Sequence, residues 1–248
     1  MSVKAIRRQH AARRNNGLPF GPHPHRGFET VTFILEGELT HKDSGGHESV
    51  IKAGGVQWMT AGSGLLHSEI SSAEFKERGG LIEILQLWVN LPPSLKFTKP
   101  RYVGLQKNDI PAIATADRLG TVNLIAGEWN GIAGPVESLT GVFMSTVELR
   151  AGGRVEFPGV GRRNVFLYVV RGEVEIAGEI APQHMLVELG NEGEDVAIAA
   201  RTDAMLLFGH ADPIGAPVVS YGPFVMNTRA EIEDAVRDYQ AGKFGPLK

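Results

Sequence analysis

The chain has 248 residues, 42% of them hydrophobic, which is enough for a sizeable core in one large domain or two small ones. Twenty-five Lys and Arg against 28 Asp and Glu leave a net charge of −3, a balance that argues against a broad electrostatic grip on nucleic acid. There is no cysteine, so disulfides and thiolate metal sites are excluded and any metal must be held by nitrogen and oxygen.

The N-terminal MSVKAIRRQHAARRNNG is basic and lacks the apolar core of a secretory signal. It reads as a disordered leader carrying His10, with a weak anion-binding arm as the other reading. No apolar run approaches the length of a membrane-spanning helix. A cytoplasmic protein with no membrane partner is expected.

Glycine and proline then punctuate short apolar runs, the pattern of an all-β sandwich or barrel. GPHPHRGFET opens the first half. TVTFILEGELTHKD reads as strand, tight turn at Glu36-Gly37-Glu38, strand, with Val31, Phe33 and Leu35 alternating against Thr32, Ile34 and Glu36. VIKAGGVQWMTAGSGLLHSEI gives further short strands, and LIEILQLWVNLP a longer one ending at Pro92-Pro93. Lys96 to Asp117 reads as a linker. Beyond it the pattern returns: NVFLYVVRGEVEIAG echoes TVTFILEGELT, and ILEGEL matches VVRGEV in its apolar pair, charge, Gly-Glu and apolar residue. This is an internal duplication, two β-barrels of similar plan, with a boundary at 110/111. One helix closes the chain: Thr228 and Glu231 make a capping-box signature, and Ile232, Ala235, Val236 and Tyr239 share a face.

His23 and His25 are two residues apart, so in an extended segment both imidazoles point to one side, and Pro24 biases His23 toward that geometry. His67 and Glu69 in GLLHSE repeat the spacing. If the two strands neighbour each other inside a barrel, three imidazoles and one carboxylate converge. Such a set binds a divalent first-row metal and leaves coordination positions open, as catalysis requires. His41 and His47 lie in the polar THKDSGGHES and are expected to face solvent. His184 and His210 stand as lone histidines, so the second half is expected to be metal-free. Phe28, Phe33, Trp58 and Met59 are candidate pocket walls, with core packing as the simpler role. Arg26 is read as a surface ion pair, the alternative being a hold on an anionic substrate, and Glu29 follows it closely.

HPHRGFETVTFILEGELTHKDSGG, QWMTAGSGLLHSE, QLWVNLP and GPFVMNT, in that order, together resemble the pirin family, a branch of the cupin superfamily, over about residues 20 to 240. The resemblance implies an all-β bicupin: two β-barrel (double-stranded β-helix) domains with a C-terminal helix. Residues 1–110 would be an N-terminal metal-binding cupin domain and 111–248 a C-terminal metal-free one. It implies one Fe(II) on three histidines and a glutamate, which match His23, His25, His67 and Glu69, the four that spacing selects. Other divalent first-row metals suit the same donors. It further implies a quercetin 2,3-dioxygenase-like enzyme, opening the heterocyclic ring of a flavonol such as quercetin with O2 and releasing CO. Glu69 would then act as ligand or proton acceptor. The alternative it carries is a non-enzymatic, iron-binding, redox-sensing regulator that binds another protein, such as a transcriptional coregulator. In one respect the chain departs: family members usually carry extra strand before His-Pro-His, whereas here 22 residues precede His23. A displaced start codon or a natural short form is expected, with a barrel edge left unpaired.

Overall fold

The computed structural model describes residues 2–18, 20–190 and 192–247, with backbone alone for 2–4. The chain divides into two compact units, residues 1–108 with 214–248, and residues 109–213.

The first unit opens with β1 (Ser2–Ala11), β2 (Phe20–His25), β3 (Phe28–Glu36), β4 (Glu38–Asp43), β5 (Glu48–Lys52), β6 (Val56–Thr60) and β7 (Leu65–Ile70). A short helix α1 (Ala73–Arg78), β8 (Gly80–Asn90) and β9 (Arg101–Leu105) follow. One sheet has the order β1-β8-β3-β6-β9 and the other β2-β7-β4-β5. Ile34, Ile82 and Ile84 from the first sheet meet Leu39 and Ile51 from the second in one buried cluster, which also takes Leu18 and Phe75. Burying these faces against each other is what holds a two-sheet barrel together.

Three expectations change here. The basic N-terminal segment is a strand, not a disordered leader: β1 pairs antiparallel with β8 from Ser2↔Trp88 to Ala11↔Gly80, with a bulge between Ile6 and Gln9. Ile6 and Ala11 pack on the core cluster while Arg7 and Arg8 stay exposed, so the arginines mask a half-buried strand. β8 is thereby paired on both sides, and β1 becomes the edge strand of its sheet. Next, Glu36-Gly37-Glu38 does not close a hairpin. β3 and β4 belong to different sheets, and Gly37, at φ 80°, turns the chain from one to the other. A Cβ there would lie 2.8 Å from the Leu81 carbonyl oxygen, so only glycine fits. Finally, the supposed linker holds strands: β9 pairs with β6, and β10 (Ala112–Ala114) pairs with the strand after it. Their shortness hid their periodicity.

The second unit continues with β11 (Gly120–Ala126), a small hairpin of β12 (Glu128–Trp129) and β13 (Ile132–Ala133), and β14 (Phe143–Leu149). Then come β15 (Arg154–Phe157), β16 (Asn164–Arg171), β17 (Glu173–Ile176), β18 (Glu179–Pro182), β19 (Leu186–Leu189), β20 (Val196–Ala200) and β21 (Ala204–Ala211). Its sheets have the orders β10-β11-β14-β21-β16-β19 and β15-β20-β17-β18, around a core that includes Val147, Phe157, Leu167, Ile198 and Phe208. Gly172, at φ 78°, carries β16 into β17 across sheets as Gly37 carries β3 into β4. The ILEGEL/VVRGEV echo therefore marks one corner used twice.

The tail forms β22 (Val219–Tyr221), β23 (Phe224–Met226) and α2 (Arg229–Gln240). The capping box is present: Glu231 N–H donates to Thr228 Oγ1 at 3.2 Å, and Thr228 N–H to Glu231 Oε2 at 2.8 Å. The sequence assigned this tail to the second domain; the fold returns residues 214–248 to the first. Two buried cations explain the docking. Arg26 donates to the Ser63 carbonyl at 2.7 Å and to Asp238 at 2.9 Å, with Phe244 beneath its guanidinium at 4.6 Å. Lys96, fully buried, donates through Nζ to the carbonyls of Gly27 and Val225, each at 2.8 Å, and to Asn90 Oδ1 at 2.5 Å. Arg26 is thus a buried clamp and not a surface pair.

Candidate metal centre

β2 and β7 run antiparallel with His23 directly opposite His67, His25 opposite Leu65 and Phe20 opposite Glu69, across a bulge between Phe20 and His23. Alternation along β2 turns His23 and His25 to one face, and the register brings His67 to them. One ring nitrogen from each lies within 4.8 Å of the others, and the ring centroids are 4.3 to 4.9 Å apart. This is the one cluster of three or more metal-capable groups among the described residues.

The outer nitrogens of two rings are fixed by backbone. His23 Nδ1 is 2.7 Å from the Gly21 carbonyl oxygen and His25 Nδ1 is 3.1 Å from that of Pro223, at the tip of the β22–β23 hairpin. Carbonyl acceptors there place the proton on Nδ1 and turn Nε2 inward as a donor for a metal. His67 is wholly buried, and neither of its ring nitrogens has a hydrogen-bond partner among the described residues. Leaving such a group unpaired costs about 1–3 kcal/mol, and a cation shared with His23 and His25 would take up the one nitrogen that carries the lone pair. Burial, then the imidazoles of His25, His23 and His41, holds His67 well below the usual histidine range, so the ring is neutral and in the ligand form. The donor set therefore fits a divalent first-row ion.

Glu69 lines the same space but is not part of the three-histidine cluster. Its carboxylate accepts from Gln57 Nε2 at 2.6 Å and Thr32 Oγ1 at 3.1 Å on Oε1, and from Gln86 Nε2 at 2.7 Å on Oε2. His23 and His25 of the cluster sit on the wall of a cavity of about 630 Å³ lined mainly by apolar groups, among them Phe20, Leu39, Ile84 and Trp88, with His67 buried behind them. Phe28, Phe33, Trp58 and Met59 are buried core residues and do not line it. β3 is buried on both faces along most of its length, so alternation does not reveal which side meets the cavity; Thr32 does. Glu29 is buried, accepts from Thr60 Oγ1 at 2.6 Å, and is raised by desolvation.

His41 corrects the sequence reading. It sits on β4, is 1% exposed, and lies 5.6 Å from His67 between ring centroids, while His47 is half exposed. His41 Nε2 is 3.0 Å from Asp43 Oδ2, and the ring stacks on Tyr102 at 4.0 Å. Burial acts to raise the Asp43 carboxyl, but hydrogen bonds with His41 and His47 outweigh it and hold it low. The missed signal was spacing: His41 and Asp43 repeat the i, i+2 interval that singled out His23 and His25.

In the second unit, His184 is 3.3 Å from the Tyr168 hydroxyl, and His210 stacks on Phe143 at 4.7 Å. Burial, then the Arg163 guanidinium, pushes His210 down to about 4, against an ordinary 6.5. The unfolded chain binds this proton below pH 6.5 and the folded chain only near 4, so the unit loses stability as pH falls through that window. The loss is about 3 kcal/mol at most. Urea midpoints at pH 7 and pH 4.5 should show a steeper drop for the wild type than for His210→Phe; parallel drops would refute the assignment.

Known proteins agree with this architecture. Residues 3–89 match the family model described as Pirin, and residues 144–245 the one described as Pirin C-terminal cupin domain. The chain belongs to the pirin family. Its two units are the two cupin barrels of a bicupin, and no helix among the described residues is long and apolar enough to cross a membrane. A pirin-like protein of Caulobacter vibrioides is 42% identical over 91% of this chain and 80% of its own length. A Pseudomonas aeruginosa protein named "Putative quercetin 2,3-dioxygenase" is 39% identical over 90% of this chain and 78% of its own. The crystal structure of an Acinetobacter baumannii quercetin 2,3-dioxygenase superposes with a TM-score of 0.93 at 37% identity, covering 99% of this chain and 86% of that one.

Proposed function

We propose that this pirin is a metal-dependent dioxygenase that opens the heterocyclic ring of a flavonol such as quercetin with O2 and releases CO. The observation that carries the reading is the three-histidine cluster, with His67 neutral and without a hydrogen-bond partner among the described residues, and with His23 and His25 on the wall of a mainly apolar cavity. The names of the Pseudomonas and Acinetobacter relatives supply the substrate class.

His23, His25 and His67 would hold one Fe(II) per chain, with Glu69 as the fourth ligand. A bound Fe(II) supplies the Lewis acidity and redox capacity that dioxygen chemistry needs. The protein does the rest. Trp88, Phe20 and Ile84 offer apolar surface to a planar aromatic substrate and exclude water around it. Imidazole donors carry no charge to offset a divalent ion's, so a loaded site would favour an enolic hydroxyl in its anionic form. Off the ion, Glu69 Oε2 would instead take the proton that hydroxyl gives up, so ligand and proton acceptor are alternative roles of one oxygen.

The test is anaerobic reconstitution with Fe(II), then quercetin and O2, with CO measured beside flavonol absorbance. CO release by the wild type and not by His67→Ala supports the enzyme. Tight iron binding without turnover would sink it and favour the redox-sensing regulator with a protein partner.

A further inference from the structure

Glu69 is the acidic group of the site, and what orients it lies on the opposite sheet. Thr32, Gln57 and Gln86 stand side by side on β3, β6 and β8, since Thr32 pairs with both glutamines in the ladder. All three reach across to the Glu69 carboxylate. An amide can present either its oxygen or its nitrogen, and a carboxylate welcomes only the nitrogen. A donor-only group decides this for Gln86, and a chain of hydroxyls supports the same orientation of Gln57.

Trp88 Nε1, which can only donate, lies 3.1 Å from Gln86 Oε1. Turned the other way, Gln86 would set its NH2 against the indole N–H and its oxygen against the Glu69 oxygen, two repulsive contacts in place of two bonds. As placed, its NH2 serves both Glu69 Oε2 and, at 3.1 Å, Thr32 Oγ1; the Thr32 hydroxyl proton is thereby directed to Glu69 Oε1. On the other side the Tyr102 hydroxyl lies 3.2 Å from Gln57 Oε1, an acceptor; with its one hydrogen given there, it can only accept from Ser49 Oγ, 2.5 Å away. Burial pushes the Tyr102 hydroxyl up to about 12, so it keeps its proton at neutral pH. Every hydrogen bond in this network runs toward Glu69.

A carboxylate has about four acceptor positions, two on each oxygen. Gln57 and Thr32 fill both on Oε1, and Gln86 fills one on Oε2. From this, and resting on the metal-site reading above, we infer that Trp88 and Tyr102 are positioning residues. Acting through Gln86 and Gln57, they lock Glu69 so that a single acceptor position, on Oε2, is left for the metal or the substrate hydroxyl. Glu69 is then a one-point contact and cannot chelate through both oxygens.

Tyr102→Phe is the sharper test, because it removes one oxygen, keeps the stack on His41, and alters a residue that does not line the cavity. Trp88→Phe is the second variant. Co(II) is the probe, with its affinity measured against a chromophoric chelator and its visible spectrum recorded on the full chain. Each variant should bind Co(II) about 10-fold more weakly than the wild type, the lower end of what loss of an outer hydrogen-bond partner costs. Each should also shift the Co(II) absorption bands, which a change in fold stability alone would not do. Wild-type affinity and spectrum in both variants, or tighter binding, would overturn the inference while leaving the metal site standing. Failure of the wild type to bind Co(II) would overturn both.

Discussion

Metal-free protein given Co(II) at about 100 times its Kd should gain about 2.7 kcal/mol of stability, because the ion binds the folded state alone. For a domain of this size that is an upward shift in Tm of roughly 5–10 °C. His67→Ala should show almost none of it. The variant removes a donor that sits at the focus of the cluster, so its affinity should fall by more than the ~10–100-fold that loss of an outer partner costs. The same ion concentration then lies near or below its Kd. Differential scanning calorimetry with and without Co(II) reads both arms. No shift in the wild type would mean that the three imidazoles are a packing feature. An equal shift in the variant would place the ion elsewhere.

Lys96→Met should be the most damaging single change away from the histidines. Methionine fills much of the volume but donates nothing, so the Gly27 and Val225 carbonyls and Asn90 Oδ1 lose one shared ammonium. Burial lowers Lys96 to about 8, which keeps it protonated at neutral pH, where it bonds as a cation. Hydrogen bonds to a charged donor are worth about 1.5–3 kcal/mol each, and buried acceptors left bare add to the cost. A loss on the order of 4 kcal/mol is expected, or roughly 10 °C in Tm. Limited proteolysis should cut the variant first in residues 214–248, because Val225 is in the tail and Gly27 is two residues from His25. Metal affinity should fall with it, since Pro223 carries the carbonyl that orients His25. A variant as stable and as protease-resistant as the wild type would show that the lysine only fills space.

Much of this was readable without coordinates. His-Pro-His and His-Ser-Glu carry their geometry in their spacing, because two residues along a strand return to the same face whatever surrounds it. The corner glycines were legible too, since ILEGEL and VVRGEV preserve the residue that only a positive φ requires. Their meaning was not. A glycine turn looks the same in sequence whether it folds a strand back on its neighbour or passes it to the facing sheet.

What the tertiary structure alone decided is a matter of partners distant along the chain. Charge made β1 look like a disordered leader, because a strand that pairs with β8 and lays one face lightly on the core can carry arginines on the other. His41 looked exposed because its neighbours are polar, and only the pairing of β4 with β7 turns it toward His67. The return of residues 214–248 to the first unit rests on Arg26 meeting Asp238 and Lys96 meeting Val225, contacts spanning 212 and 129 residues. Local sequence sets which face a side chain takes; which residues share that face is set by the packing of segments whose separation no local pattern records.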